Sequence, residues 1–316
     1  MKDLSSNIEP AELFSQFSPG SITGRFFNFP LARIVVILLF LAPIVIINSV
    51  VVMQVITNME EPMATWVDMA RLLITMPLLI LSYQFYCQAF EKRDAVEVSL
   101  PGAFRQWAIG AAVAAGLVLI FIVLIVLLGE FKIVEFRPLL KLFNNFLMFN
   151  TGALLQEIIL LLVVFRLIEE LAGSWISLLC TLTLFSGVHL LNEAETLASI
   201  FMLMLSSLVI IAPFILTRRI WVSWGFHASW NFMQAGVFGM PNSGIVFDGW
   251  MVTEISGPEW ITGGAVGLEA TYLSVGLDFL IGVVVLMMAI KAGKLVAPGW
   301  KRKLSLQPQP SHNVLS

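Results

Sequence analysis

Residues Trp221–Phe232 read WVSWGFHASWNF, and upstream of them Leu182–Asn192 read LTLFSGVHLLN. Each places a histidine, His227 or His189, inside a run apolar enough to enter a bilayer. Whether these runs are membrane spans or core helices of a soluble domain decides the fold. A polar group in hydrocarbon with no partner costs several kcal/mol, so an ionisable residue at that depth marks a functional site by default. A third polar spot, Gln156-Glu157, interrupts the apolar run Leu154–Phe165. Three segments thus contribute polar groups where hydrocarbon disfavours them.

Composition decides in favour of spans. The chain has 316 residues, of which 58% are hydrophobic and 12% charged. Soluble domains average roughly 45–50% apolar and roughly 25% charged, so the expected fold class is all-α, a polytopic membrane bundle enclosing a polar cavity. Net charge is −3, with no basic block or stripe, which argues against nucleic acid and for membrane lipids as surroundings. Cys87 and Cys180 lie in apolar segments at no metal or redox spacing and read as small buried side chains.

Eight apolar runs have the length of a span: 34–57, 72–90, 107–128, 143–167, 175–191, 196–216, 220–239 and 268–290. The expected organisation is a polar N-terminal segment at 1–30, a transmembrane domain at 31–291 and a basic, then disordered, tail at 292–316. The first run is too long for a cleaved signal peptide and reads as a retained helix. The tail has no Cys to lipidate, and His312 within it reads as inert. With the N-terminus inside, 14 of the 18 Lys and Arg fall on the cytoplasmic side and only Arg71, Lys132, Arg137 and Lys141 on the other. That bias predicts cytoplasmic N- and C-termini, in a multi-pass protein of a bacterial plasma membrane. The three basic residues of the 132–141 connection leave room there for an interfacial or re-entrant segment. No tandem or inverted repeat of the transporter kind is visible.

His227 and Asn231 are four residues apart and share a helix face, where they can present two hydrogen-bond donors to one oxygen, as an oxyanion site requires. Phe185 bears the same relation to His189. Glu157 can hold or accept a proton, or pair structurally with Arg166. Asp278 and Glu269, in the last run, are the rival polar residues, with Glu269 expected near the interface in a structural role. Other intramembrane hydrolases are excluded by missing parts: there is no His-Glu-x-x-His, no Gly-x-Ser-x-Gly, and Asp278 is the single Asp within the expected spans. No cofactor is required, although Glu157, His189 and His227 also offer the three ligands a zinc ion needs.

Phe185-x-x-x-His189 and His227-x-x-x-Asn231 resemble the second and third motifs of the CPBP family, the CaaX-protease and bacteriocin-processing (Abi) membrane proteins that include the Rce1-type prenyl endopeptidases. Glu91-Lys-Arg-Asp94 before Leu100-Pro-Gly, the turn Gly239-Met-Pro-Asn-Ser-Gly244, and Gly263–Glu269 extend the resemblance over about residues 85–290. It implies an eight-helix bundle and peptide hydrolysis by water that a glutamate activates with the first histidine. The second histidine and the asparagine would stabilise the oxyanion. Carried over, His189 takes the water-assisting role, and His227 with Asn231 forms the oxyanion pair.

The first motif departs from the family pattern Glu-Glu-x-x-x-Arg. Here it reads Gln156-Glu157-Ile-Ile-Leu-Leu161: the expected general base is Gln156, which has no basic lone pair, and the arginine position is Leu161. Glu157 lies about 100° away around the helix and needs a shifted register to replace it. Glu169-Glu170 does not restore the motif, because Ser174 stands where its arginine would be. Two expectations from different classes follow. One is an endopeptidase of this type working on a peptide or membrane-protein substrate. The other is a catalytically silent relative that acts by binding, for example in self-immunity.

Overall fold

The computed structural model describes residues 8–15, 26, 29–128 and 131–305. The tail with His312 and most of the N-terminal segment lie outside them. Every apolar run expected to span is helical. The long helices are α1 (Pro30–Ile46), α2 (Met63–Tyr86), α3 (Ala103–Leu127), α4 (Leu139–Glu157), α5 (Ser174–Val188), α6 (Leu197–Ser206), α7 (Leu208–Thr217), α8 (Trp221–Asn231) and α9 (Tyr272–Lys291). Among the described residues, six helical segments are long and apolar enough to cross a membrane: 63–91, 103–127, 139–172, 174–191, 197–217 and 272–291. These make the protein a multi-pass bundle. The other two runs fall short of that length as regular helix, since α1 has 17 residues before a π-helical stretch and α8 has 11. Because α2 starts at Met63, Asp68 also lies within a span, paired with Arg71 at 2.6 Å.

One correction to the all-helical expectation concerns the 132–141 connection. It is neither re-entrant nor irregular: Phe131–Phe136 (β1) pairs antiparallel with Met251–Ile255 (β2), with a register shift between Ile133 and Glu135. The alternating Phe-Lys-Ile-Val-Glu-Phe sequence suits a strand with both faces largely exposed. Its Lys132 meets Glu254 of β2 at 3.0 Å, which accounts for a basic residue on this side of the bundle.

The helices sort into an inner and an outer set. Of the most apolar stretch in 139–172 and 197–217, 72% and 78% is buried, against 28–33% in the other four spans. Large side chains such as Leu39, Ile74, Phe85, Leu127, Leu179 and Leu280 point outward from the outer helices, as lipid contact requires. Cys87 is buried as expected, but Cys180 is exposed on the outer face of α5. Helix α8 is drawn inward by close approach to α3. A Cβ on Gly110 would lie 2.1 Å from the Val222 carbonyl oxygen, and one on Gly225 would lie 2.1 Å from that of Trp107. Small residues of this kind let membrane helices touch backbone to backbone.

Charged residues collect at the end of the bundle opposite the strands. Glu91 accepts from Arg166 at 2.8 Å, Arg93 at 2.8 Å and Arg33 at 3.3 Å, and all four side chains are buried. Burial alone would raise the Glu97 carboxyl, but the Arg93 guanidinium beside it holds it below the usual range. Glu169 accepts from Arg218 at 2.5 Å, and Glu170 from Arg33 at 2.6 Å. Arg166 also donates to the Leu13 carbonyl, and Lys294 to that of Ile8. The residues before α1 and those after α9 therefore meet at one end.

Candidate functional site

A cavity of about 240 Å³ lies among α4, α5, α8 and α9 and is lined by Gln156, His189, His227, Asn231, Asn242 and Asp278, among others. Gln156, at the last turn of α4, is half-buried and faces it. Glu157 does not line it. The expected angular separation persists, because the helix widens into a π-helical stretch only from Ile158 to Phe165. Wide turns of this kind recur at functional sites, but this one begins too late to rotate Glu157 into Gln156's place.

Glu157 instead lies behind His227. Its Oε1 shares a hydrogen bond with His227 Nδ1 at 2.6 Å, and the side chain is fully buried. This overturns the pairing with Arg166, which bonds to Glu91 and to the carbonyls of Leu13 and Leu162. Leu161 is part of the apolar core. With Nδ1 committed to Glu157, Nε2 is the ring nitrogen left for the cavity.

His189 is at the C-terminal end of α5, where a short 3₁₀ turn begins, so it is half-buried rather than deep in a span. Its Nδ1 lies 2.8 Å from the Phe185 carbonyl. A carbonyl only accepts, so Nδ1 carries the hydrogen and Nε2 of the neutral ring carries the lone pair. The Phe185 ring stands between the two imidazoles, with centroids 5.2 Å from His189 and 5.7 Å from His227. The Phe-x-x-x-His spacing thus serves both histidines.

Asn231 closes α8 and is followed by a second π-helical stretch, Phe232–Val237. Its Oδ1 accepts from Asn242 Nδ2 at 3.1 Å, which leaves its own amide nitrogen as a donor. Sequence reasoning assigned no role to Asn242. Its signal was the Gly239–Gly244 turn, whose glycines at φ +64 and +75 permit the tight path. Glu269 anchors that turn: it accepts from the backbone and hydroxyl of Ser243, and from Gln234 at 2.6 Å. Asn192 donates to the Ser243 carbonyl at 2.6 Å. Asn145 donates to the carbonyls of Gly236 and Asp248, so α4 is tied to the start of the strand-bearing loop.

Gln156, His189, His227 and Asn231 therefore share one cavity, with Glu157 one bond removed. Glu169 and Glu170 lie elsewhere, in the charged end. Glu157 and His227 bond to each other, and among the described residues no group of three His, Cys, Asp or Glu side chains is arranged to hold a metal.

The family model of the Rce1-like type II CAAX prenyl endopeptidases matches residues 138–233, under a third of the chain. No curated protein and no solved structure matches it. The matched segment runs from the start of α4 through Gln156-Glu157, Phe185, His189 and His227 to just past Asn231. In that segment, carried in a multi-pass bundle, the chain is similar to the Rce1-like type II CAAX prenyl endopeptidases.

Proposed function

We propose that this protein hydrolyses a peptide bond within the membrane, with His189 as the base and His227 with Asn231 as the oxyanion site. The observation that carries the proposal is the Glu157–His227 bond of 2.6 Å at the back of the cavity. An uncompensated charge at that depth is costly, and among the described residues Glu157 pairs with His227 and with no Lys or Arg. The pair is electroneutral in two forms, carboxylate with imidazolium or carboxylic acid with imidazole. With one proton shared between Oε1 and Nδ1, the remaining hydrogen of the pair is on His227 Nε2 in both. His227 therefore offers a donor to the cavity, beside the amide nitrogen of Asn231, which is what a developing oxyanion needs.

His189 complements it. Its Nε2 lone pair takes a proton from water, and the water oxygen bonds to the substrate's carbonyl carbon. The carbonyl π electrons move onto oxygen and are held by His227 and Asn231. Collapse of the intermediate breaks the C–N bond, and the proton on His189 passes to the leaving nitrogen. Gln156 cannot take a proton, but its amide can orient the water or the carbonyl.

A second reading rests on that same residue. With an amide where the family pattern has a carboxylate, the cavity would bind a peptide without cleaving it. Purified protein in liposomes, mixed with quenched-fluorescent peptides, separates the two. Turnover by wild type that His189→Ala and His227→Ala abolish supports hydrolysis. No turnover in wild type, with turnover gained in Gln156→Glu, supports the silent binder.

A further inference from the structure

Asp278 on α9 lines the cavity that holds both histidines, yet it has no part in the chemistry above. It is 3% exposed, and its Oδ1 is buried with no hydrogen-bond partner. Ser274, one turn earlier, is placed to donate a hydrogen bond to its carboxyl, and a second acid, Glu269, acts on it. Glu269 is already committed to Ser243 and Gln234. Ser206 and Ser207, also in the wall, donate their hydroxyls to the carbonyls of Leu203 and Met204 on their own helices. No Lys or Arg lines the cavity among the described residues. Buried arginines are plentiful in this protein, but they are paired with Glu91, Glu97 and Glu169 at the charged end. The cavity therefore has a carboxyl group in place and no cation to meet it.

An acid with no cation beside it at membrane depth is expensive, and such residues mark substrate or ion pathways. We infer that Asp278 is a specificity-determining residue that receives a cationic side chain, Lys or Arg, of the bound peptide. The ammonium or guanidinium donates to the Asp278 carboxyl and supplies the charge that the wall lacks. A glutamine side chain can donate to the same carboxyl but brings no charge, and norleucine can do neither. The inference rests on the reading of this cavity as a peptide site. It does not require that the peptide be cleaved.

The experiment uses the full-length protein in liposomes and fluorescent peptides in which Lys, Gln and norleucine are placed in turn at each position, with binding and cleavage measured separately. At one position, Lys is expected to exceed norleucine and Gln by about tenfold or more in affinity, the scale of a hydrogen bond to a charged group. Asp278→Asn should bring the three together, and Asp278→Glu should restore part of the preference. Comparable thermal stability of the variants shows that the fold is kept. Should Asp278→Asn fail to fold, the position scan on wild type still decides. Equal affinity for Lys and norleucine at every position, or for Lys and Gln, overturns the inference. A Lys preference without cleavage upholds it while overturning the hydrolytic reading.

Discussion

Glu157 and His227 meet at 2.6 Å behind the cavity wall, where the carboxyl group is closed off from water. Residue by residue, the account predicts unequal losses. His189→Ala removes the base and should lower kcat by about a hundred- to ten-thousandfold. His227→Ala removes an oxyanion donor and should cost about a hundred- to a thousandfold. Glu157→Gln keeps the side chain's shape but not the carboxylate that fixes the imidazole, so it should lower kcat with little change in KM. Steady-state kinetics on reconstituted protein check all three, and an unchanged kcat in His227→Ala would remove that residue from the mechanism. At this scale the sequence was informative in part. The spacings of Phe185, His189, His227 and Asn231 are local helix geometry and could be read directly. That Glu157 lies behind His227 depends on how α4 packs against α8, which no spacing within one segment reports. The Asn231–Asn242 bond was hidden for the same reason, since the turn between them, not their separation in sequence, brings them together.

Among the elements, the crossing of α3 and α8 positions the second histidine. Gly110 and Gly225 let the backbones touch, and Gly225 is two residues from His227. Gly225→Val drives a side chain into the Trp107 carbonyl. It should destabilise the protein by about 1–3 kcal/mol, the scale of overpacking, and lower activity through displacement of His227. Thermal unfolding in detergent, together with the cleavage rate, measures both effects. Glu91 has the corresponding role at the charged end. Glu91→Gln leaves the buried guanidinium of Arg166 without a carboxylate, while Arg33 and Arg93 keep Glu170 and Glu97, and should cost about 3–5 kcal/mol. Periodicity and hydropathy revealed the helices because each signal is local. They did not reveal the β1–β2 pairing, whose partners lie more than a hundred residues apart, nor the exposure of Cys180, which depends on which face of α5 the bundle covers.

For the whole molecule, the contact of Lys294 with the Ile8 carbonyl puts both ends of the described chain on one side. The strand pair, with Lys132 and Glu254, lies on the other. With the Lys/Arg bias this yields a topology to test: single cysteines at Lys301 and Ser256 should label from opposite faces of a sealed vesicle, Lys301→Cys from the cytoplasmic face. Labelling of both from one face would contradict it. Composition made the membrane class legible, since so few charges cannot coat a soluble protein of this size. The inner position of α4, α6 and α7 was not legible, because helices apolar on all sides look alike to hydropathy whether they meet lipid or protein.

The most direct test of the central claim is peptide cleavage by the purified, reconstituted protein, measured for wild type, His227→Ala, Glu157→Gln and Gln156→Glu. The account predicts turnover in wild type despite Gln156, its loss in His227→Ala, and a marked fall in Glu157→Gln. Turnover that appears only in Gln156→Glu would contradict it, and would make the chain a binding protein rather than a hydrolase.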